Sequence, residues 1–178
     1  ARHPNMRLLQ FQVQGYKNFR APVRLDDLGR FNVIHGDNNV GKSNLLESIG
    51  LFFVAIEALR DEARGGPSLA ERYARGVPAI EAQAERRPPR TVVRSFDYFT
   101  REGYPPGEIF DLREPQPIAL EVQLLLDREG SDPPWLGEPI RACIHLTRRE
   151  EEVTVEIIKL QRTTDGADLA TGTGDQAA

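Results

Sequence analysis

The sequence predicts an α/β fold with a central β-sheet, one long helix behind a glycine-bounded loop, and an antiparallel β-rich second half. Three observations predict it. Residues 31–35 are a compact run of β-formers leading straight into Gly36, as expected for a strand buried on both faces. After Gly41, the apolar residues Leu45, Leu46, Ile49, Phe52, Phe53 and Ile56 recur at helical spacing. Farther on, residues 118–126, 141–146 and 153–160 read as three strands with turn-forming residues between them.

The elements follow in order. Residues 8–13 alternate loosely (Leu8, Leu9, Phe11, Val13) and predict a strand that Gly15 breaks. Residues 22–25 are a shorter extended piece before the turn-like Asp26-Asp27-Leu28-Gly29. The 31–35 strand, the loop and the helix come next. Residues 60–95 differ in kind, with eight arginines against five acids and few large apolar groups. They predict an exposed Arg-rich insertion holding at most one short helix, over 69–75. Gly and Pro turns fill 127–139, and residues 148–152 predict a charged hairpin turn.

The chain of 178 residues fits one domain. Its packed part is expected over 6–162, with 163–178 a flexible tail or linker. Residues 1–5, ahead of the sole methionine Met6, read as an expression remnant or an ambiguous start site. A net charge of −4 excludes a basic nucleic-acid arm as the whole of the function. The single cysteine, Cys143, excludes an internal disulfide and fits a cytoplasmic, reducing compartment. The longest apolar run, 49–59, is interrupted by Gly50 and Glu57 and is too short to span a bilayer.

The chemical signal is Gly36-Asp37-Asn38-Asn39-Val40-Gly41-Lys42-Ser43. It has the G-x-x-x-x-G-K-S form of a phosphate-binding P-loop, or Walker A motif. The glycines let the backbone bend closely around a phosphate. Successive N–H groups and the positive end of the following helix then face the anion. Lys42, the candidate catalytic residue, brings a full charge toward the β- and γ-phosphates, and Ser43 offers a hydroxyl oxygen to Mg²⁺. Chance produces such a match in about one chain in a hundred of this length. Here it also stands between a strand pattern and a helix pattern, as the motif requires.

The flanking residues extend the pattern. The stretch RLLQFQVQGYKNFR followed by FNVIHGDNNVGKSNLLESI resembles the amino-terminal segment of the RecF/SMC-like branch of ABC-type ATPases. Asn18, Phe19 and Arg20 match its Asn-Phe-Arg element, and Asn38, Leu45, Leu46, Glu47 and Ile49 match its loop and helix positions. The paired Asn38-Asn39 looks most like the OLD (overcoming lysogenization defect) family and related phage-defence AAA-type ATPases. The resemblance is dense over about residues 7–56 and only architectural over 96–162. It implies the N-terminal lobe of an ABC-type head that binds ATP and Mg²⁺, dimerises head to head around nucleotide, and couples hydrolysis to DNA repair or antiviral defence. By position, Gly36 through Asn44 would bind nucleotide, Ser43 the metal, and Asn18 and Arg20 would border the nucleotide.

The departures limit that expectation. A complete head needs four apolar residues followed by Asp-Glu, and the nearest match is Leu124-Leu125-Leu126-Asp127 with Arg128 next. A strand ending in Asp at a turn is the commoner explanation. No signature motif of the L-S-G-G type follows. His145 falls inside a strand pattern, where a structural role outranks catalysis. Gln161, the one candidate for a Mg²⁺-sensing glutamine, reads first as a surface residue. The arginines from Arg60 to Arg94 could touch DNA phosphates, but the interleaved acids favour a solvated loop. Residues 95–99 and Tyr104 offer aromatics for base stacking, with core packing the default. The chain therefore reads as half an ATPase, completed by a C-terminal lobe or a partner chain. The alternatives are a non-catalytic, nucleotide-dependent assembly module and, ranked below it, a P-loop kinase. A GTPase would need an Asn-Lys-x-Asp motif, which the sequence lacks.

Overall fold

A computed structural model describes residues 6–37, 40–63, 90–111, 113, 116–126 and 137–169. The strands are β1 (Met6–Gln14), β2 (Val23–Leu25), β3 (Thr91–Ser95), β4 (Ile118–Leu126), β5 (Pro139–Arg149) and β6 (Glu152–Arg162). The helices are α1 (Lys42–Ala63), α2 (Phe96–Arg101) and α3 (Pro106–Ile109). All six strands join one sheet in the order β2-β1-β4-β5-β6-β3, and each neighbouring pair runs antiparallel.

Alternation builds the core. Side chains on a strand point to opposite faces with a period of two. On one face Phe11 and Val13 of β1, Ile118, Leu120 and Val122 of β4, Ile144 and Leu146 of β5, and Val153 and Val155 of β6 are buried. Helix α1 covers this face with Leu45, Leu51, Phe52, Ala55, Ala58 and Leu59. The opposite face is half-buried and carries Gln10, Gln12, Glu121, Arg141, Cys143 and His145. Burial of its thiol holds the Cys143 pKa above the ordinary value. Among the described residues no helix is long and apolar enough to cross a membrane.

Two irregularities tune the ladders. The register shifts between Leu8 and Gln10, and the Leu9 carbonyl there accepts the Leu28 N–H at 2.9 Å. That bond ties the turn after β2 to β1. A second shift lies beside Cys143, across from Lys159 and Ile157. The β5–β6 turn is narrower than 148–152. Arg149 already pairs with Glu152, and Glu150 takes a φ of 48°.

Three expectations change. Residues 31–35 lie outside every strand of this sheet, and Phe31 and Val33 are 95% and 93% exposed. The β-forming composition is there, but among the described residues none pairs with it as a ladder. Within 60–95, residues 60–63 continue α1, and Thr91–Ser95 forms edge strand β3 on β6. The surrounding Arg and Pro hid this short alternation, in which Val92 is buried and Val93 exposed. The helix expected over 69–75 lies outside the described residues, as does Asp127. Of the expected tail, 163–169 folds back on the sheet. The Thr163 N–H donates to the Pro139 carbonyl at 2.9 Å and the Leu169 N–H to that of Leu160 at 2.8 Å. Finally, residues 96–99 open α2, and Phe99 is fully buried.

Candidate phosphate-binding loop

The loop residues meet at the N-terminus of α1. Lys42, its first residue, turns its ammonium back on the loop and donates to the Gly36 carbonyl at 2.7 Å and to that of Asp37. The Gly41 carbonyl accepts the Leu45 N–H at 2.9 Å, the first helical hydrogen bond. The first turn of α1 carries no acidic residue, so nothing there opposes an anion attracted by the helix dipole. Ser43 is exposed and Asn44 half-buried. Asn38 and Asn39 lie outside the described residues, and Val40 is 56% exposed.

Gly41 would be strained with any side chain. Its φ is +95°, and a Cβ there would stand 2.9 Å from Phe19 Cε1. Phe19 belongs to the tight turn after β1, in which the Gly15 N–H donates to the Phe19 carbonyl at 2.6 Å. The same turn places Asn18 Oδ1 as acceptor for Asn44 Nδ2 at 3.0 Å. Arg20 pairs with Asp111, with Nε and an Nη both donating to Oδ2 at 3.2 and 3.0 Å. The structure therefore brings Asn18, Phe19, Gly36, Asp37, Gly41, Lys42, Ser43 and Asn44 together and ties Arg20 to Asp111.

One turn along α1, a polar cluster holds the helix in place. Tyr16 Oη donates to Glu47 Oε2 at 3.1 Å, and Lys17 Nζ donates to the same oxygen. Burial pushes the Tyr16 phenol well above its ordinary pKa, and the Glu47 carboxylate adds to that. The hydrogen bond from Lys17 holds the Glu47 carboxyl below the usual range. Tyr104 Oη donates to the Glu47 backbone carbonyl at 3.1 Å and lies so close to Gly50 that a Cβ there would sit 2.1 Å from it. Tyr104 is thus a clamp on α1 rather than a stacking platform. Sequence reasoning missed this cluster and the Arg20–Asp111 pair, because their members are separated by 30 to 91 positions. The available signal was a glycine at position 50 inside an otherwise good helix pattern.

A groove of about 750 Å³ opens between β1, the turn after β2 and α1, lined by the apolar Leu8, Ile34 and Leu46 and equally by polar groups such as Arg7, Arg30 and Asn32. Met6 and Leu46 are each about half exposed. His145 and Gln161 stand on the sheet instead, His145 paired with Ala119 and Glu156, and Gln161 with Arg141 and Asp168. Among the described residues no three His, Cys, Asp or Glu side chains converge as a metal cluster. Mg²⁺ in nucleotide sites takes one or two protein oxygens and fills its shell from phosphates and water. The exposed Ser43 hydroxyl fits that modest role.

No family model matches the chain, and no solved structure matches it. Over 43 residues it is 46% identical to an uncharacterized protein, MJECL10, of Methanocaldococcus jannaschii. That stretch is 23% of this chain and 20% of the archaeal protein.

Proposed function

We propose that this chain is a nucleotide-binding lobe of P-loop type that takes ATP with Mg²⁺ at residues 36–44, in a cytoplasmic ATPase of the RecF/SMC/OLD-like kind. The observation that carries the reading is the Gly36–Ser43 motif at the head of α1, with Lys42 folded onto its own loop. Loop N–H groups and the helix dipole bind the phosphates, and Lys42 supplies the full charge against them. The Ser43 hydroxyl would hold Mg²⁺, which neutralises phosphate charge when bound. Lys42 stabilises charge on the transferred phosphoryl group during attack by water.

Hydrolysis on this reading needs an acidic strand from outside the described lobe. Exposed Phe31 and Val33 and the adjoining groove support that requirement. A β-forming segment leading directly into the phosphate loop stands without a ladder, and burying such residues against a further strand is strongly favourable. A C-terminal lobe of the same protein or a partner chain would supply it, and head-to-head dimers acting on DNA belong to the same proposal. A nucleotide-dependent assembly module is the second reading, favoured by the same open strand. It predicts ATP-dependent association without turnover.

Calorimetric titration with Mg·ATP tests the site. Wild-type protein should bind saturably, and Lys42→Ala should bind at least about tenfold more weakly. The variant should keep its unfolding midpoint, because the hydrogen bonds Lys42 makes among the described residues are to the Gly36 and Asp37 carbonyls of its own loop. Equal affinity of the two proteins would overturn the assignment.

A further inference from the structure

The turn after β1 is fixed from within and from without. Within it, the Gly15 N–H donates to the Phe19 carbonyl at 2.6 Å, the Phe19 N–H to that of Tyr16 at 2.8 Å, and the Arg20 N–H to that of Asn18 at 3.0 Å. Gly15, at a φ of +79°, lies so close to the chain entering β4 that a Cβ would stand 2.4 Å from the Pro117 carbonyl oxygen. The Lys17 N–H donates to the Ile109 carbonyl at 2.9 Å, and Tyr16 forms a bridge with Phe110. The Tyr16 hydroxyl reaches across to Glu47 of α1.

The tip of this anchored turn, Asn18-Phe19, meets the C-terminal end of the glycine-bounded loop. Phe19 is buried, and its ring fills the space where a Gly41 side chain would stand. Asn18 Oδ1 accepts Asn44 Nδ2 at 3.0 Å. Two consecutive residues thus hold the loop at positions 41 and 44, on either side of Lys42 and Ser43. The other end of the loop is held differently, since residues 31–37 belong to no strand among the described residues. A segment already held in one form has less freedom to lose when a ligand binds it.

We infer that Asn18 and Phe19 are positioning residues for the loop: they hold residues 41–44 in the form that receives a triphosphate, Phe19 by backing Gly41 and Asn18 by its bond to Asn44 rather than by touching nucleotide. The inference rests on the nucleotide reading above. It gives the Asn18 side chain a different task from the one its place in the resemblance implies.

Hydrogen exchange on the full chain, followed by titration with Mg²⁺ and a fluorescent ATP analogue, tests it. Without nucleotide, Asn18→Ala should speed exchange in peptides covering 41–48 about two- to tenfold and leave the β5 core at 140–146 as in wild type. The same variant should bind the analogue about two- to tenfold more weakly. Asn44→Ala should also bind more weakly, and the double variant should match Asn44→Ala, since Asn18 acts through Asn44. Phe19→Leu keeps much of the apolar volume and takes the ring from Gly41, so it too should speed exchange over 41–48. Should it melt early, the Asn18 variants carry the test, because that side chain is exposed. Unchanged exchange over 41–48 in Asn18→Ala overturns the positioning role, whether or not nucleotide binds. Faster exchange with wild-type affinity also overturns the inference and leaves the nucleotide site standing. A double variant weaker than Asn44→Ala puts Asn18 on the nucleotide itself and overturns its action through Asn44. Absence of wild-type binding overturns the nucleotide reading and the inference with it.

Discussion

Strands β4 to β6 and residues 31–37 are built from similar residues and reach opposite ends. Ile118, Ile144, Leu146, Val153 and Val155 are fully buried, and their strands pair on both sides. Phe31 and Val33 are almost fully exposed and belong to no strand. Composition alone does not separate the two regions; ladder partners do. Strands β4 to β6 pair with one another in sequence, and β1 and β3 cover their two outer edges. Residues 31–37, which lead into the glycine-bounded loop, belong to no strand among the described residues.

The sharpest way to break this contrast is to truncate one residue from each region. Ile144→Ala should cost about 2–5 kcal/mol of stability through lost burial and a residual cavity. Phe31→Ala should stay within about 0.5 kcal/mol, because an exposed ring loses almost nothing. Urea unfolding of both variants measures it, and similar losses would mean that the 31–37 segment is packed after all.

A second test sharpens the boundary between the regions, where Tyr104 clamps α1. Gly→Ala inside a helix ordinarily stabilises by about 0.5–1 kcal/mol. Gly50→Ala should instead destabilise by about 1–3 kcal/mol, because its Cβ meets the Tyr104 hydroxyl. In a Tyr104→Phe background the same change should become neutral or favourable. A cost that persists without the hydroxyl would show that Tyr104 is not the obstacle.

The two polar contacts on Glu47 give smaller effects with opposite pH signs. Tyr16 is held protonated in the folded state. Above about pH 10 the unfolded chain releases that proton and the folded chain does not, so stability falls as pH rises further. Tyr16→Phe should flatten that alkaline loss, and an unchanged slope would count against the buried phenol. Glu47 has a lowered folded pKa, so its contribution is present above the ordinary carboxylate pKa and fades as pH falls through the folded value. With both side chains partly exposed, Lys17→Ala should cost only a few tenths of a kcal/mol at neutral pH. Its difference from wild type should shrink in acid, and a difference that grows there would reverse the assignment.

Legibility in the sequence followed the range of the interaction. Helix α1 was legible because Leu45, Phe52 and Ile56 recur at short spacing, and β4 to β6 because their apolar residues alternate. The glycine-bounded loop at 36–43 was legible as a motif because eight consecutive residues carry it. Strand β3 was hidden by its Arg- and Pro-rich surroundings, and the folding back of 163–169 depends on carbonyls of β5 and β6 that no local pattern announces. The Arg20–Asp111 pair and the Tyr104 clamp are contacts between distant positions and leave no periodic trace. The run at 31–35 shows the reverse error: strand propensity was correctly read there, yet propensity supplies no partner.

Hydrogen exchange read by mass spectrometry, with and without saturating Mg·ATP, tests the central claim most directly. The account predicts that nucleotide slows exchange in peptides covering 36–45, where phosphate would engage the amides, and leaves the already protected β5 core at 140–146 unchanged. Exchange over 36–45 that is identical in both conditions would contradict it.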